Sequence, residues 1–234
     1  WNKKALPPEL SNFQEKLVDF KVFATKYFPG KKLYLGETGY DSNSQSPQGA
    51  VTIGEYLSEE VQGFWILRSY LFFLAAKWDK FFLYSLGDHA SENSSEQYAT
   101  SGIVKRFIWD NLSQSYNKKL SYIILDGFFK ELSMNTFVRI VKKNDYFVAD
   151  FKNNFVNTIV KKVFWTSETK NDNQLSLKIV KISRNSFSLG GQPLCYKKYR
   201  SEGLFEEGAL EDIVSNNEIE IDNNPLIIKV CSQG

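Results

Sequence analysis

The stretch Leu33-Tyr34-Leu35-Gly36-Glu37-Thr38-Gly39-Tyr40 decides how this chain is read. A short apolar run, expected to form a buried strand, ends in a glutamate and then a turn marked by Gly39. Burying a carboxylate without a partner is costly. Glu37 is therefore either a solvated residue that opens a loop or a charge presented to a cleft that uses it. Both readings stand on these eight residues alone.

The segments that follow favour the cleft. After Tyr40-Asp41 comes a polar loop, Ser42-Asn43-Ser44-Gln45-Ser46-Pro47-Gln48, and then an expected helix carrying Val61-Gln62-Gly63-Phe64-Trp65-Ile66-Leu67-Arg68-Ser69-Tyr70. The expected strand Lys80-Phe81-Phe82-Leu83-Tyr84-Ser85-Leu86 runs into Gly87-Asp88-His89. In this order the motifs resemble the last quarter of the TIM-barrel enzymes of the large retaining glycoside hydrolase clan, clan A. The resemblance covers roughly residues 5–132, with a weaker echo beyond. It implies that Glu37 is the catalytic nucleophile at the end of a seventh barrel strand. It also implies that the strand beginning at Lys80 is the eighth.

Helical spacing of Leu10, Phe13, Leu17, Phe20 and Phe23 after Pro7-Pro8 predicts a first amphipathic helix, stopped by Pro29-Gly30. Ser58-Glu59-Glu60 is expected to cap the second helix, with Phe64, Leu67, Leu71 and Leu74 on its buried face. A closing helix is expected over 120–132. The first half thus alternates helix and strand in the manner of a β/α barrel.

The second half changes character. Short β-rich runs at 137–141, 146–151, 160–166, 175–182, 218–221 and 226–230 are separated by polar turns such as Lys170-Asn171-Asp172-Asn173. These predict an antiparallel β-sandwich, similar to the small one that many clan members carry after the barrel. The fold class expected is α/β plus all-β. Residues 1–132 would be the last two β/α units of a (β/α)8 TIM barrel, and 133–234 a small β-sandwich domain.

A complete eightfold barrel needs about 250 residues, and two strands cannot close one. The remaining strands are expected on a missing N-terminal segment or a partner chain, with Trp1 beginning a processed product or a fragment. The clan's general acid sits in an Asn-Glu pair after the fourth strand, and no such pair occupies a matching strand here. Asn217-Glu218 falls in the sandwich and Ser91-Glu92 in a loop. The chain by itself is expected to be inactive.

The chain has 234 residues, 42% of them hydrophobic and 24% charged, with a net charge of +2. That balance argues against a nucleic-acid partner. No stretch reaches the roughly 20 apolar residues of a membrane span. Cys195 and Cys231 are the two cysteines, enough for one bridge but not for a zinc site or a disulfide framework. No cofactor is expected. His89 is the only histidine, so no multi-histidine metal site can form.

The resemblance makes Tyr40, Tyr84, Asp88 and His89 candidate substrate contacts around Glu37. Each has a plainer reading: Tyr40 packed on its loop, one of Tyr84 and Ser85 facing outward, and His89 on a surface loop. Arg68 reads as an anchor for a carboxylate, Trp65, Trp78 and Trp165 as core, and Lys161-Lys162 and Lys197-Lys198 as solvated faces. The function implied is retaining hydrolysis of a polysaccharide or oligosaccharide, in a secreted, periplasmic or cell-surface setting. One alternative is a non-catalytic carbohydrate-binding or assembly subunit on a degenerate glycosidase fold. Another is an independent all-β adhesion domain with a helical extension.

Overall fold

The computed structural model describes residues 5–105, 117–155, 158–171, 174–201 and 203–231. Trp1 and residues 172–173 of the expected turn lie outside them. The fold is mixed helix and sheet, and its sheets are mostly antiparallel. Two compact units, Trp1–Leu125 and Asp126–Gly234, divide within the third helix.

In the first unit, α1 (Phe13–Tyr27) precedes β1 (Tyr34–Thr38), and α2 (Ser58–Ala75) precedes β2 (Lys80–Leu83). Helix α3 (Leu120–Leu132) begins here and crosses into the second unit. Strands β1 and β2 pair in parallel, with Tyr34 opposite Lys80, Leu35 opposite Phe81 and Thr38 opposite Leu83.

Helix α2 is the centre of this unit. Every residue from Glu60 to Ser69 is buried, where the pattern predicted a single apolar face. The difference arises because its flanks are covered separately. Gly63 lies against Ser121 and Ile124 of α3, while Phe73 packs on Phe81 of β2 and on Leu17 of α1. A helix enclosed on all sides needs no polar stripe. The expected cap also shifts by one position. Leu57 precedes the first turn and donates its N–H to the Glu60 carboxylate at 2.6 Å, so Ser58 is already helical.

Two expectations for this unit are corrected. On α1, Leu17 and Ala24 are buried, but Phe20 and Phe23 are half exposed, as are Tyr27 and Phe28. The apolar stripe is wider than the surface available to cover it among the described residues. Strand β1 is likewise not a buried strand. Leu35 joins the core with Phe73 and Ala76, whereas Tyr34, Gly36 and Glu37 are exposed. Each strand has one hydrogen-bonded neighbour among the described residues, so one edge of each stays open.

The second unit is antiparallel throughout. Its strands are β3 (Asn135–Lys142), β4 (Phe147–Asn153), β5 (Ile159–Trp165), β6 (Thr169–Asn171), β7 (Gln174–Ser176), β8 (Val180–Ser183), β9 (Leu194–Tyr199), β10 (Phe205–Ala209), β11 (Glu218–Ile221) and β12 (Leu226–Val230). Six of them form one sheet in the order β10-β9-β12-β5-β4-β3, and β8 pairs with β11 as a second layer. Val148, Phe164, Tyr196, Leu226 and Ile228 of the large sheet share a core with Ile182, Ile219 and Ile221 of the small one. Trp165 is fully buried and stacks on Phe147 at 5.4 Å.

The run expected as one strand over 175–182 divides into β7 and β8, and the sequence reading omits β9 and β10 altogether. Strand β9 carries Lys197-Lys198 and β10 carries Glu206-Glu207, residues with poor β propensity. In the sheet they stand opposite each other, Glu206 across from Lys198 and Glu207 across from Lys197. Cross-strand charge pairing supplies what propensity does not.

The lysine pairs are therefore not solvated faces. Lys161, Lys197 and Lys229 converge on Glu131 near the end of α3, at 2.7, 3.5 and 3.2 Å. Lys198 pairs with Asp222 at 3.0 Å and Lys162 with Asp150 at 3.8 Å. Burial alone would raise the Glu131 carboxyl, but Lys161 and Lys229 outweigh it and hold it below the usual carboxylate range. The two cysteines are joined, Cys195 of β9 to Cys231 just past β12.

Candidate active site

The carboxyl ends of β1 and β2 come together through backbone contacts. Tyr84 donates its N–H to the Thr38 carbonyl at 2.9 Å, continuing the ladder one residue past β2. The Tyr84 carbonyl then lies so near Gly39 that a Cβ there would stand 2.2 Å from it. No other residue fits the turn after Glu37 without moving one of the strand ends. The Tyr84–Ser85 peptide is cis.

Glu37 occupies the last turn of β1 with its side chain exposed. It makes no hydrogen bond or ion pair with any described residue. Tyr40 is half-buried against α2. Its ring meets Trp65 edge to face at 5.1 Å, and its hydroxyl lies 3.3 Å from the Ser69 hydroxyl. Tyr84 stacks on His89 at 5.3 Å with planes 22° apart, and His89 is exposed. Ser85 turns its hydroxyl to the Gly87 carbonyl at 2.8 Å.

Asp88 points inward instead of toward solvent. Its carboxylate accepts from Lys119 at 2.6 Å and from the Gly102 N–H at 3.0 Å. Lys119 also donates to the Ser42 hydroxyl and to the carbonyls of Thr100 and Gly102, all within 3.0 Å. Both side chains are almost fully buried. Burial pushes the Asp88 carboxyl up and the Lys119 ammonium down, and their mutual contact opposes both shifts. This pair ties three chain segments together: the loop after β1, the loop after β2 and the approach to α3.

Two further buried groups do the same work. Gln62 donates to the carbonyl of Tyr40 at 2.6 Å and to those of Thr100 and Gly102 at 3.3 Å. The Asp41 carboxylate, fully buried, accepts from the Tyr98 N–H at 3.0 Å, the Thr100 N–H at 3.2 Å and the Ser46 hydroxyl. Tyr98 is held with φ at 69°, a left-handed conformation that costs a non-glycine residue about 1–2 kcal/mol. Arg68, buried in α2, pairs with Glu9 at 3.4 Å, the anchoring role its position suggests.

No protein-family model and no curated protein matches the chain. Among solved structures it is similar to a family 39 glycoside hydrolase from the gut symbiont Bacteroides cellulosilyticus WH2, with a TM-score of 0.60 at 14% identity. The fold is one that a glycoside hydrolase carries. The match covers 92% of this chain and 38% of that one, so this chain spans less than two fifths of its neighbour's length. A 4-O-α-L-rhamnosyl-β-D-glucuronidase from Fusarium oxysporum 12S also matches, at 11% identity over 93% of this chain and 50% of that one. Its TM-score of 0.43 makes the likeness too distant to argue from.

The structure thus gathers Glu37, Tyr84 and His89 at one end of the parallel pair and turns Asp88 and Tyr40 into its supports. Sequence reasoning missed Asp41, Gln62, Tyr98 and Lys119. A buried ion pair between loops leaves no periodic trace, although Asp41 directly after the Glu37–Tyr40 motif was available as a signal. Among the described residues, no group of three or more His, Cys, Asp or Glu could hold a metal ion. No helix among them is long and apolar enough to cross a membrane. In the second unit a cavity of about 420 Å³ is lined by Lys181, Lys198 and Arg200 among others. Those cations already face Glu220, Asp222 and Glu206.

Proposed function

We propose that this chain is the C-terminal part of a retaining glycoside hydrolase acting on a polysaccharide or oligosaccharide. Strands β1 and β2 are then the last two staves of a (β/α)8 barrel, followed by a β-sandwich domain. The observation that carries the reading is a glutamate at the carboxyl end of a parallel strand pair, in a fold shared with a family 39 glycoside hydrolase. Catalytic groups of such barrels sit at that face.

The chemistry follows from two carboxyl groups about 5 Å apart. One Glu37 carboxylate oxygen attacks the anomeric carbon while the glycosidic C–O bond breaks. A second carboxylic acid protonates the departing oxygen. Water then attacks the anomeric carbon, gives its proton to that second group, and releases the sugar from Glu37. The second group belongs to barrel strands outside this chain, on an N-terminal segment or a partner chain. The open edges of β1 and β2, the exposed Tyr34 and Phe82 upon them, and the aromatic stripe of α1 support that incompleteness. The Cys195–Cys231 bridge supports an oxidising location: secreted, periplasmic or cell-surface.

The test is Glu37→Gln in the complete protein, read against a 2-deoxy-2-fluoro glycoside that traps the covalent intermediate. Turnover falls by several orders of magnitude with folding unchanged, and the trapped sugar maps to the peptide carrying Glu37. Wild-type turnover in the variant removes Glu37 as nucleophile. The exposed, unsupported Glu37 favours one second reading, a non-catalytic carbohydrate-binding or assembly subunit. That reading expects no trapped sugar in any form of the protein.

A further inference from the structure

We propose that Tyr98 joins Tyr84 and His89 in an aromatic corner that receives the apolar face of a pyranose ring. This rests on the glycosidase reading and extends it to a residue outside the motif.

Tyr98 is nearly half exposed, at 45%, yet its position is fixed. Its ring meets Tyr84 edge to face at 5.5 Å with planes 83° apart, and Tyr84 in turn stacks on His89. The backbone is gripped from both sides. The buried Asp41 carboxylate accepts the Tyr98 N–H, and the neighbouring Ala99 carbonyl accepts the N–H of His89 at 2.9 Å and of Ala90 at 3.0 Å. Asp41 lies four residues past Glu37, and Tyr84 bonds to the Thr38 carbonyl. The three rings are therefore referenced to the same strand end as Glu37.

A core tyrosine is held by burial. Here a buried carboxylate and a left-handed backbone hold a ring whose surface remains in water. Such an arrangement is suited to a ligand that covers aromatic area. The half-exposed Tyr98 ring offers π surface beside its phenol hydroxyl and next to the stacked Tyr84–His89 pair, so the complementary molecule has a C–H face and a polar rim. A pyranose has both: its axial C–H groups meet the π face and its equatorial hydroxyls reach the rim.

The experiment titrates xylotetraose and cellotetraose into the Glu37→Gln form of the complete protein by calorimetry. Three versions are compared: with Tyr98 intact, with Tyr98→Ala and with Tyr98→Phe. Tyr98→Ala weakens the better-bound tetraose about fivefold to tenfold, and Tyr98→Phe stays within about twofold of the parent. Circular dichroism of both variants matches the parent. Equal affinity in the parent and Tyr98→Ala overturns the proposal, as does failure of both tetraoses to bind the parent at millimolar concentration. A loss in Tyr98→Phe equal to that in Tyr98→Ala also overturns it, because the ring is then not the contact. The fluoroglycoside label at Glu37 is read independently, so Tyr98 can fail while the glycosidase reading stands, and the reverse.

Discussion

The two units solve the problem of burying a sheet in opposite ways. In the second, six antiparallel strands and a small second layer enclose a continuous core, and the four inner strands of the large sheet are paired on both edges. In the first, two parallel strands lie beside one fully enclosed helix, with open edges and aromatic side chains left in solvent. Antiparallel sheets of this size satisfy themselves locally, whereas parallel strands are stable when covered on both faces. The difference separates a unit whose sheet is covered by its own second layer from one whose parallel strands remain exposed among the described residues.

The sharpest way to break that contrast is to separate the units. Residues 126–234 alone melt cooperatively, while 5–125 alone bind a hydrophobic dye and show no cooperative transition. Calorimetry of the two pieces checks this, and a cooperative melt of the first piece removes the contrast. Within the first unit the Asp88–Lys119 pair is one of the buried groups that join the loops. Lys119→Met leaves Asp88 buried without its cation and destabilises by about 3–5 kcal/mol, whereas Lys119→Met with Asp88→Leu recovers much of the loss. Denaturant titration of the single and double variants measures it.

In the second unit, removing the Cys195–Cys231 bridge opens a loop of sequence separation 36 and costs about 4 kcal/mol. Thermal melts with and without reductant detect it. A smaller effect comes from Glu131→Gln, which strips three lysines of a shared carboxylate and costs about 2 kcal/mol. Because the folded Glu131 carboxyl sits below its ordinary value of 4.5, its contribution is present above that pH and fades as pH falls below it. Wild-type stability drops in acid more steeply than that of Glu131→Gln, and melts between pH 6 and pH 3 compare the slopes.

What could be read in advance follows from which forces leave periodic marks. Strands β11 and β12 fall where their patterns put them, β11 because its apolar residues repeat every second position and β12 because a short apolar run follows Pro225. The strand ending near Glu37 and its parallel partner are present as expected, while their exposure is not what an apolar run implies. Strands β9 and β10 escaped because lysine opposite glutamate stabilises a pair without altering either strand's hydropathy. At the candidate site, Glu37, Tyr84 and His89 came from motif order. Asp88 reads as a substrate contact because nothing in one dimension announces Lys119, 31 residues on, as its partner. Two cysteines could not declare their pairing until the strands carrying them were seen side by side.

Strand β10 closes one side of the large sheet and pairs with β9 alone. Its Glu206 and Glu207 are engaged by Arg200, Lys197 and Lys229 from within the same unit. A second molecule docking its own β10 there would have to displace charged side chains that these ion pairs hold in place. The ion pairs that hid the strand from a hydropathy reading thereby blunt the free margin of the sheet against edge-to-edge growth.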